Sequence, residues 1–261
     1  MTLDPARRVL LGAAATLGFF GLALLGAVSW LSAHPALGPA LAGGAMVAYG
    51  VIAATVLLTV RRHHPFAAFG PANVVTSLRS AVAALLVGFV VALSLAGGGA
   101  GGVHQAAKDL FSGGEGGALV ALLVGVLALD GVDGFLARRS GKSSVFGARF
   151  DMEIDALTIL CLSFLVVVAD RAGAFAVLIG LARYLFVAAA VAVPALAGPL
   201  APSKRRQSVC VLQYVALIAA LAPGVSGAVG SALVGAALAA LLVSFAIDVA
   251  ALLRQAPERA A

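Results

Sequence analysis

The sequence predicts an all-α integral membrane protein, and three observations carry that expectation. Of its 261 residues, 62% are hydrophobic and only 11% charged, where a soluble globular domain carries about 25% charged residues. Apolar runs recur at lengths near the roughly 20 residues that a helix needs to cross a bilayer. The basic residues also sort by side. With eight crossings and both termini on one face, that face receives Arg7, Arg8, Arg61, Arg62, Arg138, Arg139, Lys142, Arg149, Lys204, Arg205, Arg206, Arg254 and Arg259. The opposite face receives Lys108 and Arg171. Such asymmetry marks the basic face as cytoplasmic, and seven or nine crossings would destroy it.

Taken in order, runs 9–30 and 37–60 form an N-terminal hairpin. Arg7-Arg8 resembles the start of a signal peptide, but the first run exceeds a 7–15-residue signal core, so a retained helix is expected. Arg61-Arg62-His63-His64-Pro65 and the stretch up to Ala72, with Gly70 and Pro71, read as an interfacial linker; His63 and His64 add to its basic patch. The expected division is therefore 1–66, hairpin and linker, and 67–261, a core of six spans. Those spans are 74–95, 117–137, 146–169, 172–193, 208–222 and 229–253. The third span overall begins with polar residues and the seventh is short. Segment 97–117 reads as a polar, Gly-rich loop, and 254–261 as a charged, disordered tail. The 31 glycines either favour close helix contacts or reflect an Ala/Gly-biased composition. Cys161 and Cys210 lack metal-ligand spacing and read as small core residues. The net charge of +6 could suggest nucleic acid, but its confinement to loops on one face argues for membrane topology instead.

The chemistry concentrates in residues 130–155, which read Asp130-Gly131-Val132-Asp133-Gly134-Phe135-Leu136-Ala137-Arg138, then eight residues, then Gly147-Ala148-Arg149-Phe150-Asp151-Met152-Glu153-Ile154-Asp155. A carboxylate at the centre of a membrane helix costs roughly 2.5–3.5 kcal/mol on insertion scales. A cluster at the ends of two apolar runs therefore points to a positive partner. Asp130 and Asp133 are three apart, Asp151 and Asp155 four apart, and on helices each pair shares a face. Oxygen donors without His or Cys favour Mg²⁺, Mn²⁺ or Ca²⁺ over zinc, with substrate phosphate oxygens completing the shell. Gly134 and Ala137 are small enough to let a ligand approach the helix backbone. Arg138 offers a planar fork for phosphate oxygens, and Gly147 opens the start of the next helix. Glu153 belongs to another helix face.

The string Asp-x2-Asp-Gly-x2-Ala-Arg-x8-Gly-x3-Asp-x3-Asp resembles the motif of the CDP-alcohol phosphotransferase family at every position. That resemblance implies an enzyme that displaces CMP from a CDP-linked donor with an alcohol, in phospholipid synthesis. The implied donor is CDP-diacylglycerol from the membrane; the acceptor is a water-soluble alcohol. By position, Asp130, Asp133 and Asp151 are implied metal ligands. Asp155 is implied as both metal ligand and general base, with Mg²⁺ or Mn²⁺ as the cofactor, in two ions. Gly134, Ala137, Arg138 and Gly147 would lie along the cytidine and diphosphate. The family also carries Pro-Asn-x-x-Thr-x-x-Arg before this motif; here Asn73, Thr76 and Arg79 match it, with Ala72 inserted after Pro71. They would wall the nucleotide pocket, or else act as a helix cap and an interfacial arginine.

For the acceptor, glycerol 3-phosphate or another phosphorylated polyol suits Arg183, inside the sixth span, and the basic run Lys204, Arg205 and Arg206. Snorkelling or a structural salt bridge is the other reading of Arg183, and ordinary positive-inside charge that of the run. Serine, choline, a second lipid, or a CDP-choline or CDP-ethanolamine donor stay open. Asp248 is expected to pair with an arginine or sit near the interface. A cation transporter or a catalytically silent scaffold is the reading from another class. The implied setting is a bacterial inner membrane, with termini and active site cytoplasmic. Oligomer contact, as in a homodimer, or a lid over the lipid entrance is open to the hairpin.

Overall fold

The structure is a computed structural model that describes residues 4–32, 37–96, 100–140 and 144–260, with side chains described outside 96, 100–101, 115, 129–140 and 256–260. Every regular element among them is helical: α1 Pro5–Leu31, α2 Gly38–His63, α3 Pro71–Ala96, α4 Ala100–Ser112, α5 Gly114–Ser140, α6 Val145–Val168, α7 Val177–Ala192, α8 Lys204–Leu221 and α9 Gly227–Ala260. Two compact units result, Met1–Asp109 with Ala121–Cys161, and Leu110–Val120 with Leu162–Ala261.

In the first unit α3 is the hub, since 67% of its apolar stretch is buried against 22% for α1 and α2. Both hairpin helices face inward along one stripe, Val9, Ala13, Leu17, Leu24 and Val28 on α1, and Leu41, Ala45, Tyr49, Val56 and Val60 on α2. Between helices already solvated by hydrocarbon, packing and hydrogen bonds replace the hydrophobic drive, so small residues at the contact matter. A Cβ on Gly88 of α3 would lie 2.6 Å from the Leu41 carbonyl oxygen and 2.9 Å from Ala45 Cβ; one on Gly44 would meet Val91 Cβ at 2.9 Å. The backbones of α2 and α3 touch because neither glycine has a side chain. Tyr49 ties the hairpin by donating its Oη proton to the Leu17 carbonyl at 2.7 Å, with its ring over Gly21. Phe19, Leu22, Trp30 and Leu58 point outward and are exposed, as lipid-facing residues are.

The linker ends at Gly70, whose φ of +83° suits only glycine without strain. Its carbonyl accepts the Val74 amide at 3.2 Å, and Pro71, which has no N–H to satisfy, opens α3. Downstream, the stretch expected to be a loop at 97–117 contains α4. Ala107, Leu110 and Phe111 are buried, and their i, i+3, i+4 spacing gives α4 an apolar face that its glycines obscured. The tail beyond Arg254 likewise continues α9 as helix to Ala260 instead of a disordered end.

In the second unit α8 and α9 form an antiparallel hairpin through Gly224, at φ +80°. At that turn the Arg171 guanidinium donates to the Val225 carbonyl. At the far end, Arg205 donates to the Ser244 carbonyl at 2.5 Å and to Asp248 at 2.5 Å. Five helices are long and apolar enough to cross a bilayer among the described residues, namely α1, α2, α3, the stretch Ala174–Ala192 that includes α7, and α9. Counting the bent pair Gly102–Ser112 and Gly116–Ala128 as one span makes six. Helices α6 and α8 coincide with expected spans, but α6 carries Asp151, Glu153 and Asp155 and α8 opens on Lys204-Arg205-Arg206.

Candidate active site

The site assembles from the first three turns of α3 and α6, which start at the same end of the first unit and rise together. Residues Asn73, Thr76 and Arg79 recur every three positions, so they share one face of α3. All three are buried, at 4%, 3% and 4% exposure. Their local bonds hold the stripe in shape: the Asn73 amide donates to the Phe69 carbonyl, and the Thr76 hydroxyl to the Ala72 carbonyl at 3.1 Å. Asn73 lies inside the first turn of α3, so it is not the helix cap.

On α6, Gly147, Asp151 and Asp155 recur every four residues and present the matching face. The fit is close at Gly147, where a Cβ would stand 2.8 Å from Asn73 Oδ1. One and two turns on, Arg79 donates from Nη1 to Asp151 Oδ1 at 2.5 Å and from Nη2 to Asp155 Oδ1. A guanidinium this deeply buried needs anionic partners, and the fork of Arg79 supplies one N–H to each carboxylate. The aspartates keep access to solvent, with side chains 43% and 22% exposed. Two negative groups on adjacent turns are thus held parallel around a single positive charge.

Sequence reasoning missed the support beneath this face. Ser144 precedes α6 and caps it, its Oγ accepting the Gly147 amide at 3.0 Å. The Ser144 hydroxyl lies 3.0 Å from His64 Nδ1, and His64 Nε2 lies 2.9 Å from the Ala68 carbonyl. A carbonyl can only accept, so Nε2 carries the proton and Nδ1 accepts from Ser144. The ring of His64 packs edge-on against Phe146 at 5.8 Å. What read as a basic patch is a strut running from the linker to the start of α6. The signal was present as a Ser three residues before the motif glycine, a helix-capping spacing.

Asp130, Asp133, Gly134, Ala137 and Arg138 all lie on the helical backbone of α5, but their side chains fall outside the described residues. Among the described residues no group of three or more His, Cys, Asp or Glu side chains is placed to hold a metal ion. The described donors nonetheless suit a hard divalent cation. Asp151 and Asp155 offer carboxylate oxygens only, and they already converge on a cation, the Arg79 guanidinium. In the second unit, Arg205 and Arg206 both reach Asp248 Oδ1, at 2.5 and 3.1 Å, which gives the buried Asp248 the arginine partners expected for it. Lys204 is exposed, and Arg183 is half-buried on α7.

No curated protein and no solved structure matches the chain. The family model for CDP-alcohol phosphatidyltransferase matches residues 69–247, from the turn before α3 into α9, and so contains the faces of α3 and α6 just described. On that match the chain belongs to the CDP-alcohol phosphatidyltransferase family.

Proposed function

We propose that the protein transfers the phosphatidyl group of CDP-diacylglycerol to a water-soluble alcohol, releasing CMP, on the cytoplasmic face of a bacterial inner membrane. The family supports phosphatidyl transfer from a CDP-alcohol to an acceptor and generally uses divalent metal ions. The observation that carries the reading is the buried Arg79 holding Asp151 and Asp155 side by side, one turn beyond the close contact of Gly147 with Asn73.

In this reading Asp130, Asp133, Asp151 and Asp155 hold two Mg²⁺ or Mn²⁺ ions. When bound, the ions neutralise the diphosphate and stabilise charge on the departing phosphate. Asp155 takes the proton from the acceptor hydroxyl, whose oxygen forms the new P–O bond as the bond between phosphorus and the CMP oxygen breaks. A carboxylate base must reach that proton within roughly 2.6–3.2 Å or through one water, and the partial exposure of Asp155 leaves that approach open. Arg79 keeps the two aspartates in one orientation and offsets their mutual repulsion while the site waits for substrate. Gly147 lets α6 approach Asn73 closely, and Gly147, Asn73 and Thr76 line the nucleotide while Gly134, Ala137 and Arg138 complete the cytidine and diphosphate contacts. Lys204 and Arg183, with Arg205 and Arg206 shared between Asp248 and ligand, favour a phosphorylated polyol such as glycerol 3-phosphate.

The test is CMP release by protein in lipid nanodiscs containing CDP-diacylglycerol and Mg²⁺ or Mn²⁺, with acceptor alcohols added singly. Metal-dependent release with one acceptor, abolished in Asp155→Asn and Asp151→Asn, is expected. Full activity in Asp155→Asn would remove that residue as the base. No release with any acceptor, despite CDP-diacylglycerol binding, would overturn the assigned acceptor class.

A further inference from the structure

A cavity lies on a different face of α6. Phe146, Arg149, Phe150, Glu153 and Ile154 follow the i, i+3, i+4, i+7, i+8 pattern, rotated by more than a quarter turn from the Gly147, Asp151, Asp155 face. Together with Val51, Ile52, Thr55, Val56, Thr59 and His63 of α2 they line a cavity of about 330 Å³. That volume lies in the range of small-molecule sites, roughly 300–1,000 Å³. The floor is Phe146, Phe150, Ile154 and Val56, all nearly fully buried. The threonines contribute methyl groups, because Thr55 and Thr59 spend their hydroxyl protons on the Val51 and Thr55 carbonyls at 2.8 and 2.6 Å.

The cavity is polar only along one edge. At the end where α2 stops and α6 starts, it carries Arg149 and His63, with Arg61 and Arg62 in the same last turn of α2; Glu153 is the single acid in the lining. Arg149 is exposed and makes no ion pair or hydrogen bond among the described residues, unlike Arg79, Arg171, Arg205 and Arg206. His63 Nδ1 lies 3.1 Å from the Thr59 carbonyl; a carbonyl only accepts, so Nδ1 carries the proton and spends it within α2. An apolar slot edged by Arg149, with Arg61 and Arg62 in the adjoining turn of α2, has the chemistry of one lipid class. We propose that the groove between α2 and α6 binds an anionic phospholipid, with an acyl chain along Phe146 and Phe150 and the phosphate on Arg149. The family match begins at residue 69, so one wall of this groove, α2, comes from the hairpin that precedes it. The hairpin thereby gains a role separate from the transfer reaction.

The test uses tryptophan fluorescence, since Trp30 is the one tryptophan and is exposed. In a Trp30→Phe background, Val51→Trp places a reporter at the groove, and Leu58→Trp places one on the outward face of α2 as a control. The full chain is reconstituted in phosphatidylcholine nanodiscs holding a minor fraction of brominated phosphatidylglycerol or, in parallel, brominated phosphatidylcholine. At equal bromine content, phosphatidylglycerol is expected to quench Val51→Trp at least two-fold more, with no such preference at Leu58→Trp. Arg149→Gln should abolish the preference and Arg149→Lys should retain it. Equal quenching by both lipids at Val51→Trp, an equal preference at both reporters, or a preference untouched by Arg149→Gln would each overturn the assignment.

Discussion

Removing the charge of Arg79 tests the arrangement of the site most directly. Arg79→Gln leaves Asp151 and Asp155 one turn apart on α6 with no guanidinium between them. Breaking a fully buried ion pair from one side costs about 3–5 kcal/mol. Here the orphaned carboxylates are 43% and 22% exposed, so water recovers part of that, and each lost charge-assisted bond is worth about 1.5–3 kcal/mol. The expected loss is therefore about 2–4 kcal/mol, or a fall in Tm of roughly 5–10 °C for a chain of this size. The measurement is thermal unfolding in detergent micelles with EDTA, then with Mg²⁺ or Mn²⁺. In the variant a divalent ion no longer competes with Arg79 for the same oxygens. Added ion should raise its Tm more than that of the parent, by up to about 2.7 kcal/mol of stability at a hundred-fold excess over Kd. Arg79→Lys should fall between, because a point charge cannot fork to two carboxylates. A variant as stable as the parent in EDTA, or one gaining no more than the parent from divalent ions, would refute the reasoning.

Three further outcomes are expected. Gly147→Ala puts a methyl 2.8 Å from Asn73 Oδ1; an overpacking cost of about 1–3 kcal/mol and a raised KM for the CDP-linked donor should follow, both eased by adding Asn73→Ser. Ser144→Ala should cost about 1 kcal/mol through loss of the α6 cap. In a double-mutant cycle with His64→Ala, measured by thermal unfolding, the two losses should be less than additive, since one hydrogen bond joins them; strict additivity would break the proposed strut. Gly88→Val should destabilise the first unit by more than about 2 kcal/mol, because the first carbon alone would stand 2.6 Å from the Leu41 carbonyl oxygen. An unchanged Tm there would show that α2 and α3 do not rely on that contact.

The sequence by itself determined the helical class, the family and which residues share a helix face. Hydrocarbon solvates apolar side chains without cost but penalises unpaired charge, so Asp151, Asp155 and Arg79 stood out against their surroundings, and helical spacing put each on a definite face. Asp248 was legible as an arginine partner for the same reason. Segment 97–117 was misread because its glycines hid the Ala107, Leu110 and Phe111 stripe, whose meaning depends on having a surface to pack against. Only the tertiary structure decided that Arg79 joins both aspartates, that His64 and Ser144 brace the start of α6, and that α2 and α6 enclose a groove. Each of these joins residues far apart in the chain, through contacts that leave no periodic trace in the sequence. They depend on how closely two helices approach, which here is set by single glycines at positions 44, 88 and 147 and by hydrogen bonds whose partners only the fold brings into range.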